Sequence, residues 1–148
     1  MEIKIEAIGF SQTWKDAKYE NGESQTFWNE FFQIFGIDRK RVESFEKPVK
    51  KLGNKQGFID LLWKGKLLIE HKSLGLDLEK AKTQAFDYFP NLKEEELPKY
   101  ILVCDFQNFE LLDLENGQEY KFQLSELSEN LHLFEFFNSE KSRVFDEK

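Results

Sequence analysis

The sequence predicts an α/β domain in which helices lie on both sides of a central β-sheet. The first observation is the order of its periodic segments, which runs helix, strands, helix, strands. The second is the length of 148 residues, which fits one domain with a core of its own. The third is composition: 40% of the residues are hydrophobic and 16 are Phe, which excludes disorder for most of the chain. We expect residues 1–148 to form a single domain, with a frayed tail at 138–148.

Two helices are predicted before the first strand. The stretch FSQTWKDAKYE places Phe10 and Trp14 one helical turn apart. In NGESQTFWNEFFQIFGI, a wider apolar stripe is formed by Phe27, Trp28, Phe31, Phe32 and Phe35. Gly36 follows this stripe at the place where a C-terminal cap is expected.

The middle of the chain predicts a strand pair and a third helix. A weak strand around RVESFEKPV is restricted to a sheet edge by Pro48. Residues 57–73, GFIDLLWKGKLLIEHKS, form two apolar strands around a tight turn. The helix that follows ends at Pro90, and its inward residues are Leu78, Ala81, Ala85 and Phe89.

The last third of the sequence predicts three more strands and a closing helix. The strands are PKYILVCDF, FELLDL and QEYKFQL, and ENG is a turn between the last two. The stretch SELSENLHLFEFF predicts a helix opened by Ser125.

Composition also excludes several classes of protein. The single cysteine, Cys104, rules out a disulfide framework and a multi-cysteine zinc site, and its apolar neighbours predict a small buried side chain. The N-terminus has no cationic head followed by an apolar stretch, so we expect no signal peptide. No apolar run is long enough to span a membrane. These features predict a cytoplasmic protein without a membrane partner.

Positive charge is concentrated in one segment of an acidic chain. The net charge is −7, but residues 38–55 hold 7 Lys or Arg against 3 Asp or Glu. A local cationic patch can bind a phosphate backbone even on an acidic protein. The candidate contacts to such a backbone are Arg39, Lys40, Arg41, Lys50 and Lys51. The alternative is a solvated loop with no ligand.

The apolar strand pair at 57–73 contains three charged residues that need an explanation. Glu70 and Lys72 lie on one face of the second strand, because side chains alternate, and Asp60 lies on the first. Burying an unpaired carboxylate costs several kcal/mol or forces it to take up a proton. A hard divalent cation such as Mg²⁺ relieves the repulsion between two carboxylates, and a nearby lysine can orient water or stabilise charge on phosphorus. A surface ion pair is the alternative.

The turn decides whether Asp60 and Glu70 share a face. A two-residue loop at 64–65 would put them on opposite faces of the sheet. A three-residue loop at 63–65 would put them diagonally on one face, with Gly65 in the left-handed conformation that its bulge requires. We therefore predict a bulged loop with Gly65 at positive φ.

Asp60, followed after nine residues by Glu70 and Lys72, resembles the D…ExK signature of the PD-(D/E)XK nuclease superfamily. Ile59 stands where the superfamily pattern has Pro, a common variation. The resemblance implies a restriction-endonuclease-like fold, with a central mixed β-sheet flanked by α-helices. It also implies that Asp60, Glu70 and Lys72 are catalytic and that both carboxylates bind Mg²⁺, with Mn²⁺ as an alternative.

The helix after this motif carries Gln84 and Tyr88, which resemble the QxxxY element of many such nucleases. Residues four apart share a helical face, so both side chains could position the substrate, or both could pack in the core. The family's first helix supplies a further acidic metal ligand, and Glu20 and Glu23 both fit that place. The alternative for either is a solvated helix start.

A wider resemblance covers roughly residues 10 to 137. This part of the chain resembles the N-terminal nuclease domain of single-chain, type IIG/IIL, MmeI-like restriction–modification enzymes. The resemblance rests on the segments YENGESQTFWNEFFQIFGI, FE, GFIDLLWKGKLLIEHKSLGLDLEKAKTQAFDYF and LPKYILVCDFQNFELLDL. It implies cleavage of double-stranded DNA, with a covalently linked methyltransferase and target-recognition region. S-adenosylmethionine would then bind downstream, because this chain has no methyl-donor loop. Whether cleavage requires a dimer is left open.

Two other functions are compatible with the same residues. One is a stand-alone repair or junction nuclease of the superfamily, and the other is an inactive nuclease-like module that docks on DNA. The intact set of Asp60, Glu70 and Lys72 favours an enzyme. His71 faces away from Glu70 and nothing pairs with His132, so both are predicted to be structural or surface residues.

Overall fold

The computed structural model describes residues 2–19, 22–38, 45–50 and 56–138. The α-helices are α1 (Glu2–Trp14), α2 (Ser24–Ile34) and α3 (Leu78–Phe86). The strands are β1 (Phe45–Lys50), β2 (Gln56–Trp63), β3 (Leu67–His71), β4 (Tyr100–Cys104), β5 (Asn108–Asp113) and β6 (Glu119–Gln123). Short 3₁₀ segments span Phe89–Asn91, Glu94–Glu96, Leu124–Glu129 and Leu131–Asn138.

The described strands form one six-stranded sheet in the order of the chain, from β1 to β6. β3 and β4 are parallel, and α3 connects them, whereas every other neighbouring pair is antiparallel. The predicted mixed sheet flanked by helices is therefore confirmed. β1 lies at the edge, where the missing N–H of Pro48 is tolerated.

An aromatic core lies between the sheet and the first two helices. The stripe predicted for α2 is buried here, with Phe27, Trp28 and Phe31 each at most 1% exposed. From α1, Phe10 and Trp14 pack against Phe27 with ring centroids 4.9 and 5.2 Å away. Full burial of each such side chain contributes about 1.5–3 kcal/mol. This face of the sheet is thereby fixed to both helices.

A smaller aliphatic core lies on the opposite face, under α3. Leu62, Leu68 and Val103 from the sheet pack with Ala81 and Ala85 of the helix. Asp77 caps the helix, because its carboxylate accepts hydrogen bonds from the backbone N–H groups of the first turn. Helices thus cover both faces, as predicted.

Two predicted helix boundaries and one predicted element type are wrong. α1 begins at Glu2, well before Phe10, and α3 ends at Phe86, with Phe89 in the 3₁₀ turn that follows. The predicted closing helix consists of two 3₁₀ segments instead. The second segment is kinked at Phe134, and it buries Phe134 and Phe137.

Within the described residues, no helix is long and apolar enough to cross a membrane.

Candidate active site

The turn between β2 and β3 sets the register of the site. Trp63 pairs with Leu67, so the loop is residues 64–66, one residue later than predicted. Gly65 has φ +74°, as predicted, and the Lys66 N–H donates to the Trp63 carbonyl at 2.9 Å. The loop still holds three residues, so even-numbered residues of the two strands share a face.

Packing on the two faces confirms this arrangement. Leu62 and Leu68 are paired and lie in the core under α3, whereas Leu61 and Ile69 are paired and lie in the aromatic core. Continued by one residue, the same register sets Asp60 opposite Glu70 on the α3 side, directly rather than diagonally as predicted.

The two carboxylates are held in different ways. Asp60 Oδ2 accepts a hydrogen bond of 2.7 Å from the backbone N–H of His71. Glu70 is 4% exposed and pairs with Val103 of β4. Lys72 follows the end of β3, and its N–H donates to the Cys104 carbonyl at 2.8 Å, so the pairing with β4 continues through it. Alternation places its side chain on the face of Glu70.

His71 faces the aromatic core, away from Glu70, as predicted. Its Nδ1 accepts a hydrogen bond of 2.8 Å from Trp28 Nε1, and the residue is 1% exposed. Burial lowers the pKa of His71 to about 3, because a charged imidazole would lose its hydration there. The imidazole is therefore neutral at pH 7. Cys104, beside it on β4, is also fully buried, and burial raises the pKa of its thiol.

The other predicted ligands are only partly located. Glu23 is exposed and precedes the first residue of α2, so the helix begins after the acids that it was predicted to supply. Glu20 lies outside the described residues. Gln84 is half-buried on α3, and Tyr88 is 3% exposed within the aliphatic core. The predicted contact of either with a substrate stays a prediction.

The predicted DNA-backbone contacts fall almost entirely outside the described part of the chain. Arg39, Lys40, Arg41 and Lys51 are in segments that the structure does not describe. Lys50 ends β1, and only its backbone is described. Their contact with the DNA backbone stays a prediction.

Sequence reasoning missed a buried lysine on α3. Lys82 is 5% exposed, and its ammonium contacts the carboxylates of Glu79 and Glu110 at 2.8 Å and that of Glu119. Burial acts to lower the Lys82 pKa, but the hydrogen bonds to Glu110 and Glu79 outweigh it and raise the pKa. Its position could have shown this, because residues 78, 81, 82 and 85 form one helical stripe.

This cluster is not assigned as the metal site, although three of its carboxylate oxygens lie within 4.8 Å of one another. The Lys82 ammonium already lies among them and supplies the positive charge that a metal ion would bring. The arrangement is an ion-pair network that joins α3 to β5 and β6.

Comparison with known proteins agrees with this fold. Residues 4–148 match the family described as MmeI, N-terminal domain. The chain belongs to the family of MmeI N-terminal domains. No curated protein matches its sequence. Among solved structures, a chain in a cryo-electron-microscopy structure of a DrdV–DNA complex is similar, with a TM-score of 0.51 and 14% identity over 82% of this chain. At that identity the similarity shows the fold alone, and this chain spans 12% of that one.

Proposed function

We propose that this domain is a Mg²⁺-dependent DNA endonuclease domain of a restriction–modification protein. The observation that carries the proposal is the β2–β3 register, which sets Asp60 and Glu70 on the face that Lys72 shares. Membership of the MmeI N-terminal domain family and the fold shared with a chain from a DNA complex support it.

The donor set fits a hard divalent cation. Two carboxylates about 4 Å apart would repel each other by roughly 4 kcal/mol at an effective dielectric constant of 20, and a cation removes that cost. Mg²⁺ prefers oxygen ligands and commonly takes one or two carboxylates together with waters and phosphate oxygens. Asp60 and Glu70 would hold it, with Glu23 or Glu20 supporting its water shell. Mn²⁺ accepts the same ligands. Bound there, the ion would supply Lewis-acid stabilisation of charge on the phosphate and a more acidic water.

Lys72 is the residue proposed to act on the attacking water and the phosphate. Its backbone is fixed by the hydrogen bond to the Cys104 carbonyl, so its side chain starts from a defined point beside Glu70. An ammonium group can donate to the water and to a phosphate oxygen at once, because it has three hydrogen-bond donors. We propose that Gln84, which is half-buried on α3, and Tyr88, whose ring is buried in the aliphatic core, position the substrate.

The test is Mg²⁺-dependent cleavage of double-stranded DNA by the full-length protein. We expect Asp60→Asn and Lys72→Ala each to lower the cleavage rate at least 100-fold, because each removes a group that stabilises the transition state. Asp60→Asn retains an oxygen that can accept the His71 N–H, so the strand pair should stay intact.

Lys99→Ala is the matched control, because Lys99 is half-exposed and precedes β4, at the opposite end of the sheet from Lys72. It should cleave at the rate of the unaltered protein. DNA methylation by the linked region should be unchanged in all three variants. Cleavage that persists in Asp60→Asn or Lys72→Ala would remove that residue from the site.

A further inference from the structure

His71 lies between Glu70 and Lys72, and its side chain points into the aromatic core. We propose that His71 is a positioning residue that orients the Asp60 carboxylate toward a metal ion, by means of an anchor on Trp28. This inference rests on the proposed function, because it assigns to His71 a role in holding the ligands of that same site.

The anchor is a hydrogen bond between α2 and β3. Trp28 Nε1 donates to His71 Nδ1 at 2.8 Å, and both residues are 1% exposed. Such a bond is costly to break in the core, because the buried donor would be left without an acceptor and without water. The ring of His71 is therefore held in one orientation by a helix on one side of the sheet.

Aromatic rings enclose the imidazole on further sides. The centroid of Phe106 is 4.2 Å from that of His71, and Phe27 is 5.3 Å away. Phe106 reaches this place with φ +77°, a left-handed conformation that is unfavourable for a residue with a Cβ. The Asp105 carboxylate stabilises that turn by accepting the N–H groups of Gln107 and Asn108.

The backbone of the same residue contacts the proposed site. The His71 N–H donates to Asp60 Oδ2 at 2.7 Å, and the next N–H, that of Lys72, donates to the Cys104 carbonyl at 2.8 Å. Because the ring is fixed behind the sheet, the amide that holds Asp60 is fixed as well. Groups that orient metal ligands in this way typically change metal affinity 10- to 100-fold when they are removed.

The test measures binding of Mn²⁺ alone to the full chain, by electron paramagnetic resonance of the free ion, well below the unfolding temperature. Trp28→Phe removes the donor while it keeps an aromatic ring, and Phe106→Leu loosens the same enclosure from another side. We expect each variant to bind Mn²⁺ roughly tenfold more weakly or worse. Asp60→Ala should lose this binding.

Phe134→Leu is the control for weakened packing. Phe134 is fully buried, and its ring contacts are with Phe31, Phe35, Phe122, Phe136 and Phe137. It should lower the unfolding temperature while Mn²⁺ affinity stays unchanged.

The outcomes separate the two proposals. If Trp28→Phe or Phe106→Leu remains folded and binds Mn²⁺ as tightly as the unaltered chain, the role proposed for His71 is overturned. The proposed function is not affected by that result. A loss of affinity in Phe134→Leu as large as in those variants would also overturn it, because the effect would then follow stability. Absence of Asp60-dependent Mn²⁺ binding in the unaltered chain would overturn the proposed function and this inference with it.

Discussion

At the scale of single residues, the buried imidazole of His71 couples folding to pH. Its pKa is about 3 in the folded chain and about 6.5 when unfolded, so between these values the unfolded chain binds the extra proton. Stability should therefore fall as pH falls from 6.5 towards 3, by up to about 1.4 kcal/mol per pH unit from this group. Chemical denaturation at a series of pH values measures the slope.

The control for this prediction is His71→Phe, which fills the same aromatic enclosure with a ring that does not titrate. The other ionisable groups of the chain are the same in both proteins, so only the difference between the two slopes reports on His71. That difference should appear below pH 6.5 and vanish above it. Equal slopes would mean that the imidazole is hydrated in the folded chain.

Residues differ in how far their roles follow from the sequence. Strand alternation sufficed to predict that His71 points away from Glu70, and a three-residue loop with Gly65 at positive φ predicted that Asp60 shares the face of Glu70. The place of Lys82 on the buried stripe of α3 could be predicted from the sequence, but its partners Glu110 and Glu119 could not, because they lie on two strands that are distant in sequence. The left-handed backbone of Phe106 was also missed, since its support includes, besides the local hydrogen bonds of Asp105, packing on His71 and Trp14 from distant parts of the chain.

At the scale of elements, the β2–β3 hairpin depends on its glycine. Gly65 has φ +74°, and a Cβ added there would lie 3.3 Å from the Glu95 carbonyl oxygen. We expect Gly65→Ala to lower the free energy of unfolding by about 1 kcal/mol or more. Gly9→Ala in α1 should instead be neutral or stabilising, because an added Cβ meets nothing within 4 Å and alanine is the better helix former.

Urea denaturation of the two variants measures the contrast. The hairpin variant should also bind Mn²⁺ more weakly, since the turn sets the register that places Asp60 opposite Glu70. A Gly65→Ala variant as stable as Gly9→Ala would show that the loop relaxes without strain.

Elements built on a clear period were predictable, and those that adapt to the core were not. The apolar stripe of α2 predicted a helix and its buried face. The two apolar runs around Gly65 predicted two strands, and the turn between them predicted which side chains share a face. The C-terminal 3₁₀ segments carry the apolar content of a helix, but Phe134 and Phe137 must both reach the space beside α2. That space is created by other elements, so local sequence could not predict the tighter winding.

At the scale of the whole molecule, the sheet divides the domain into two sides with different tasks. One side is an aromatic core that holds α1, α2 and the ring of His71. The other carries Asp60 and Glu70 next to the smaller core under α3. A rigid packed layer behind the proposed site fits a function that requires ligands to be held within a fraction of an ångström.

Net charge matters at this scale, because the proposed function would bring an acidic chain with a net charge of −7 to a polyanion. If residues 38–55 form the DNA interface, affinity depends on where a charge lies rather than on the total. We predict that Arg41→Glu weakens DNA binding and lowers the slope of log affinity against log salt by about 0.9, because one phosphate is no longer neutralised.

Lys4→Glu changes net charge by the same amount, but Lys4 is exposed on α1, outside that segment. Fluorescence anisotropy with a DNA duplex over a salt series should therefore show a reduced slope for Arg41→Glu alone. Equal reductions in the two variants would mean that total charge governs binding, and the basic segment would then be a solvated loop.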